Sequence, residues 1–147
     1  MTSDPLAFEF FNEIGIIDQL VSAMLTNALP QGMTKAQFTV LNHFVRLNIV
    51  EKSPADLASA FQVRRPTITS TLARMESAGL VAIRLDPRDG RAKFVSITTA
   101  GRSMREKCIS ALASMILTIE PVISDTQMQV LLPKLRKLRI GLDKLRE

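Results

Sequence analysis

Hydrophobic positions along the chain follow two periods, one helical and one alternating, and the switch between them outlines the fold. Phe10, Ile14, Ile17, Val21 and Met24, widened by Phe11 and Leu25, recur at helical spacing and predict an amphipathic helix over residues 6–29. Pro5 lies near its start, and Pro30 with Gly32 ends it. Thr34 then stands as a cap, and Phe38, Leu41 and Val45 share one face of a second helix ending near Asn48. Ser53-Pro54-Ala55-Asp56 opens a short third helix: Ser suits the N-cap, Pro the first turn, and Asp56 returns a bond in a variant capping box. Leu57, Ala58 and Phe61 face inward. After Gln62-Val63-Arg64-Arg65, Pro66 is expected at the first position of a fourth helix running to about residue 78. Ile68, Leu72 and Met75 form its apolar side, and Gly79 suits the left-handed residue after it.

The period then becomes two. Val81, Ile83 and Leu85 point one way, the Asp86-Pro87-Arg88-Asp89-Gly90 tip follows, and Phe94-Val95-Ser96-Ile97 resumes extended character, which predicts a β-hairpin. Thr98 caps a long helix carrying Met104, Cys108, Leu112, Met115 and Ile119, stopped by Pro121. A capping-box pattern at Ser124-Asp125-Thr126-Gln127 opens the last segment, striped by Leu131, Leu135, Leu138, Leu142 and Leu145. Pro133 lies inside that stripe and predicts a kink, or a break with Pro133 starting the final helix. The fold class is therefore mainly α with a small β-hairpin. At 147 residues the chain has the size of one domain able to bury most of a working core.

Composition narrows the function. One cysteine excludes an internal disulfide, and one cysteine with one histidine argues against a zinc site, so no metal and no cofactor are expected. No secretory signal and no apolar run long enough for a membrane span are read, so a cytoplasmic protein is expected. The net charge of +5 leans towards a polyanionic partner. Its distribution is more informative: residues 1–33 hold four acids and no Lys or Arg, whereas residues 61–100 hold seven Lys or Arg against three acids.

That basic middle coincides with the most suggestive pattern. Residues 54–79 have the form of a helix-turn-helix whose second helix offers Arg65, Thr67, Thr69, Ser70 and Arg74 outward. Short hydroxyls let a helix sit deep in a major groove, and Arg forks onto guanine or holds a phosphate. The same residues on a plain helical hairpin are the alternative. Directly behind, Arg84, Arg88, Arg91 and Lys93 crowd the hairpin, with Arg88 and Arg91 near its tip, in reach of an adjacent minor groove. Asp86 and Asp89 would repel phosphate. They are expected instead to brace the tip, capping turn N–H groups or pairing with a neighbouring Arg.

Arg65-Pro66-Thr67-Ile68-Thr69, Leu72-Ala73-Arg74-Met75-Glu76 and Gly79-Leu80-Val81, followed by Asp86-Pro87-Arg88-Asp89-Gly90-Arg91, resemble the MarR family of winged-helix transcription regulators. The last stretch matches that family's D-x-R-D-x-R wing signature at every specified position, and Thr98-Thr99-Ala100-Gly101 resembles its lead-in to the next helix. The resemblance implies a winged helix-turn-helix lobe at residues 34–100. N- and C-terminal dimerisation helices at 1–33 and 101–147 would interlock in one domain. It further implies a homodimer on a pseudo-palindromic operator, a repressor, released by a small phenolic or lipophilic acid or by thiol oxidation. In this reading Arg74, Arg84 and Lys93 hold phosphates, Arg65, Thr67, Thr69 and Ser70 face base edges, and Arg88 and Arg91 work the minor groove. Two departures stand out: Arg65 where a good N-cap is expected, and Pro133 within the last helix.

Cys108 is the sole thiol a redox mechanism could use, but it shares a face with Met104, Leu112 and Met115, as a buried core thiol would. His43, just off the second helix's stripe, is the candidate for meeting an effector carboxylate where the family builds its pocket, against a structural role. Two other classes remain. An enzyme lacks support, because no paired carboxylates, nucleophile with a base, or phosphate-cradling glycine loop can be found. A winged-helix protein-interaction module without operator binding would have little use for two tip arginines.

Overall fold

The computed structural model describes residues 3–146. Its elements run α1 (Leu6–Ala28), α2 (Lys35–Arg46), α3 (Pro54–Phe61), α4 (Arg65–Ser77), β1 (Val81–Leu85), β2 (Lys93–Ile97), α5 (Thr99–Ile119) and α6 (Asp125–Lys144). They group into two compact units, residues 1–112 and 113–147, divided within α5.

In the first unit the helices start and stop where local chemistry directs. Thr34 and Gln37 form a reciprocal capping box on α2. Ser53 Oγ accepts the Asp56 N–H at 3.1 Å, but the return bond from Asp56 that the sequence suggests is not formed among the described residues. The second helix ends on Asn48 (φ 50°), the third on Gln62 (φ 53°) and the fourth on Gly79 (φ 75°), all left-handed. After each, the next N–H reaches back five residues: Ile49 to Phe44, Val63 to Ala58, Leu80 to Met75.

One start differs from expectation. The fourth helix begins at Arg65, with Arg64 as its N-cap and Pro66 one position further in. Proline is tolerated there because the first-turn N–H groups have no intrahelical partner to lose.

The core gathers the buried faces of these helices. Val40, Leu41 and Phe44 meet Leu57, then Ile68, Leu72 and Met75, with Leu80, Val81, Val95 and Cys108 closing it. Leu72 is 1% exposed, so truncating it to Ala removes about 2–5 kcal/mol. Leu25 and Leu29 join this core at the C-terminal end of α1, while Lys35 Nζ donates to Ser22 Oγ at 2.6 Å.

The hairpin pairs Val81 with Ile97 through Leu85 with Lys93, antiparallel. Lys52 adds one bridge to its edge, exchanging N–H and C=O bonds with Val95 at 3.0 and 2.8 Å. The alternation of Val81, Ile83 and Leu85 holds, but burial fades along it from buried to exposed because the strands run beyond the core.

A knot of contacts ties the hairpin's exit to the end of α4. Thr98 Oγ1 donates to Gly79 O (2.6 Å) and accepts the Gly101 N–H (3.0 Å), and Thr98 N–H donates to Leu80 O (3.1 Å). Gly101 packs so closely that a Cβ there would stand 2.1 Å from Leu80 O.

In the second unit, Ser124 and Gln127 form the capping box the sequence suggests. Of the two alternatives at Pro133, a kink or a break, the break is not what forms: α6 runs as one helix from Asp125 to Lys144. A mid-helix proline removes one donor, and the turns on either side carry the helix through. Arg146 pairs with Asp143 at its end.

Candidate nucleic-acid interface

The helix α4 is built as an amphipathic rod with a working outer face. Ile68, Leu72 and Met75 fix its underside in the core. Arg65, Thr67, Thr69, Ser70 and Arg74 are all exposed. At about 100° per residue, the line farthest from the core runs through Pro66, Ser70, Ala73 and Ser77, with Thr67 and Arg74 on one flank and Arg65 and Thr69 on the other. The outermost line carries only small side chains, which allows the backbone itself to approach a partner. The Thr67, Thr69 and Ser70 hydroxyls enter no hydrogen bond among the described residues, whereas Thr71 Oγ1 donates back to Thr67 O. Arg64, the N-cap, is exposed just ahead of this helix. Placing the cap at Arg65 leaves Arg64 out of the sequence-derived set, although the Arg64-Arg65 doublet is the signal for it.

The wing tip is held by its acids. Asp86 Oδ1 accepts the Arg88 N–H at 2.9 Å, and Asp89 Oδ1 accepts the Arg91 N–H at 3.0 Å. Asp86 N–H donates to Ala92 O, and Ala92 N–H to Asp89 O. Both carboxylates are thus turned onto the loop backbone. Among the described residues, the guanidinium groups of Arg88 and Arg91 and the ammonium of Lys93 enter no ion pair and stand exposed.

Arg84 is placed differently. Its Nε donates to Glu51 Oε1 at 2.7 Å and its Nη2 to Glu51 Oε2 at 2.8 Å, a bidentate pair. Its guanidinium lies 4.7 Å over the ring of Phe94, its cross-strand partner. The hydrogen bond from Arg84 holds the Glu51 carboxyl below its usual range.

The candidate sensing residues lie away from this face. His43 is half-buried, its ring edge-on to Phe61 at 4.9 Å. Burial, then the charges of Arg46 and Lys52, push its imidazole down, favouring the neutral form. Cys108 is buried, and burial pushes its thiol up, away from the thiolate that oxidation requires. An open groove on α6, lined by Lys134, Lys137, Leu138, Gly141 and Leu142, does not involve either residue. Among the described residues no group of three acidic, His or Cys side chains could hold a metal, and no helix is long and apolar enough to cross a membrane.

Two helices around a left-handed turn, followed by an arginine-tipped hairpin, define a winged helix-turn-helix protein. The MarR family model matches residues 31–92, which lie within this lobe and its approach. A curated relative, the transcriptional activatory protein BadR of Rhodopseudomonas palustris, is 36% identical over 77 residues, 52% of this chain and 44% of that protein. The chain thus aligns with less than half the length of that relative. Among solved structures, Bordetella bronchiseptica BpsR, whose DNA binding is regulated by 6-hydroxynicotinic acid, superposes with a TM-score of 0.74 at 21% identity, covering 89% of this chain and 98% of that one. A cysteine-to-serine variant of MarR from E. coli, complexed with operator DNA, gives 0.71 at 24% identity, covering 92% and 99%. At these identities the structural likeness speaks for the fold. The family is one of transcription regulators rather than enzymes.

Proposed function

We propose that this protein is a sequence-specific duplex-DNA-binding transcription regulator, acting as a homodimeric repressor on a pseudo-palindromic operator in the cytoplasm. The observation that carries this reading is the division of labour on the wing: its acids bind backbone while Arg88 and Arg91 stay unpaired, beside a helix face of unbonded hydroxyls. A solvated hairpin has no need of that arrangement. Arg65, Thr67, Thr69 and Ser70 face base edges, Arg74 and Lys93 hold phosphates, and the two tip arginines enter the minor groove. Arg64 adds an exposed cation just ahead of the helix.

The homodimer is supported by the terminal helices, which are the dimerisation elements of this reading. Phe8, Leu20 and Leu135 are 57%, 62% and 51% exposed, and neither α1 nor α6 buries a residue. Residues 1–33 carry four acids and no Lys or Arg, while residues 134–146 carry six Lys or Arg and one acid. Apolar stripes of opposite charge suit symmetric pairing between two copies. Release by a small phenolic or other lipophilic acid is proposed by analogy with BpsR, with His43 as the residue nearest to such a role.

Anisotropy titration of the protein into a randomised duplex pool, at several salt concentrations and with recovery of bound sequences, tests the reading. Salt-steep binding that enriches an inverted repeat is expected; binding indifferent to salt and to sequence would point instead to a protein-interaction module. A second reading, activation in place of repression, is favoured by the name of BadR, and a promoter-reporter assay in a deletion strain separates the two.

A further inference from the structure

We propose that Glu51 and Arg84 form a positioning pair that fixes the angle of the wing, and that Arg84 does not itself hold a phosphate; this rests on the DNA-binding reading above.

The hairpin projects past the core, and its outer strands are exposed towards the tip. Two links hold it to the segment between α2 and α3. Lys52 exchanges both backbone bonds with Val95 and so ties down β2. The preceding residue, Glu51, grips Arg84 with two parallel bonds of 2.7 and 2.8 Å and so ties down β1. Adjacent residues therefore anchor opposite strands, which blocks rotation of the hairpin about either link alone. Phe94 beneath the guanidinium, at 4.7 Å, fixes the plane in which the fork lies. Arg88 and Arg91 sit at the free end of this lever, so a small rotation at its foot displaces their guanidinium groups by a larger distance. A bidentate fork on a carboxylate also leaves Arg84 less charge to offer a phosphate than Arg88, Arg91 or Lys93 have.

The two roles predict opposite signs for one substitution. Glu51→Gln removes a negative charge and releases a cation, so simple electrostatics raises affinity for DNA. If the pair positions the wing, the same change lowers it. The experiment compares wild type, Glu51→Gln, Arg84→Gln, the double variant and the exchanged pair Glu51→Arg with Arg84→Glu, using the operator recovered from the selection. Operator affinity and its salt slope are measured together with amide exchange of Val95 in the free protein.

Each single variant is expected to lose roughly fivefold in affinity at unchanged salt slope, with the double variant no worse than either. The exchanged pair should recover most of the loss, and Val95 should exchange faster in both single variants. Higher affinity for Glu51→Gln, or a salt slope smaller by about one unit for Arg84→Gln, would make Arg84 a phosphate ligand and overturn the proposal. If the wild type binds no duplex, the DNA reading itself fails and the exchange data decide. Faster exchange at Val95 keeps the pair as the holder of the wing; unchanged exchange removes it.

Discussion

Gly101 offers the sharpest test of how the lobe is built. Replacing it with Ala puts a Cβ 2.1 Å from Leu80 O and 2.8 Å from Ile97 Cγ1. Relaxed carbon contacts need about 3.5 Å, so the carbonyl has to retreat by more than about 1 Å. That carbonyl accepts the Thr98 N–H at 3.1 Å, and such a retreat takes the bond beyond hydrogen-bonding range. Overpacking costs roughly 1–3 kcal/mol, the lost bond adds about 1 kcal/mol, and alanine's better helix propensity returns less than about 1 kcal/mol. The net loss is about 3 kcal/mol. In urea, with a slope of about 1–3 kcal/mol/M, the unfolding midpoint should fall by at least about 1 M. The readout is far-UV circular dichroism at one fixed protein concentration. Thr98→Val is the companion variant, because it removes the bonds to Gly79 O and Gly101 N without steric intrusion, and should cost about 1–2 kcal/mol. A Gly101→Ala midpoint equal to wild type, or no lower than that of Thr98→Val, would refute the close approach as the reason for glycine.

Three further outcomes are expected. Arg91→Ala should weaken operator binding roughly tenfold and reduce its salt slope by about one unit, and unchanged affinity and slope would take the wing out of the account. Because burial and the charges of Arg46 and Lys52 push His43 below its ordinary 6.5, the unfolded chain binds that proton more readily. The group's contribution to stability is then complete above about pH 6.5 and is lost as the pH falls through that value towards the lower folded one. His43→Gln should flatten the fall in thermal midpoint on acidification, and an identical fall in both proteins would contradict the assignment. Leu135→Asp sets a carboxylate in the exposed stripe of α6; if a second copy covers that stripe, the dimer should weaken by about 3 kcal/mol per copy. Sedimentation equilibrium reads this directly, and an unaltered monomer–dimer balance would remove α6 from the interface.

Periodicity made most of the lobe legible. Ile68, Leu72 and Met75 mark the buried side of α4 by spacing alone, and Thr34, Ser53, Gly79 and Ser124 mark ends where the structure has them. Four details were not legible, each for a local reason. The start of α4 shifts by one residue because proline suits any position of a first turn whose N–H groups lack partners. The continuity of α6 through Pro133 depends on the turns flanking it, which a single residue type does not report. The Glu51–Arg84 pair joins residues 33 positions apart, and only the pairing of Lys52 with Val95 brings them together. Exposure of the α4 hydroxyls follows from the helical period, but their freedom from back-bonding does not. Thr71, on the same helix, spends its hydroxyl on Thr67 O.

The contacts around Thr98 also have a mechanical meaning. Leu80 follows the left-handed end of α4, precedes the first strand of the wing, and offers its carbonyl to Thr98, the residue immediately before α5. With Gly101 seated against that same carbonyl, no compliant spacer separates the three elements. A torque applied to the first turns of α5 therefore reaches α4 and the foot of the hairpin without backlash, as it would through a keyed shaft. The fourth helix and the wing tilt in step, and neither can absorb a misalignment of the other.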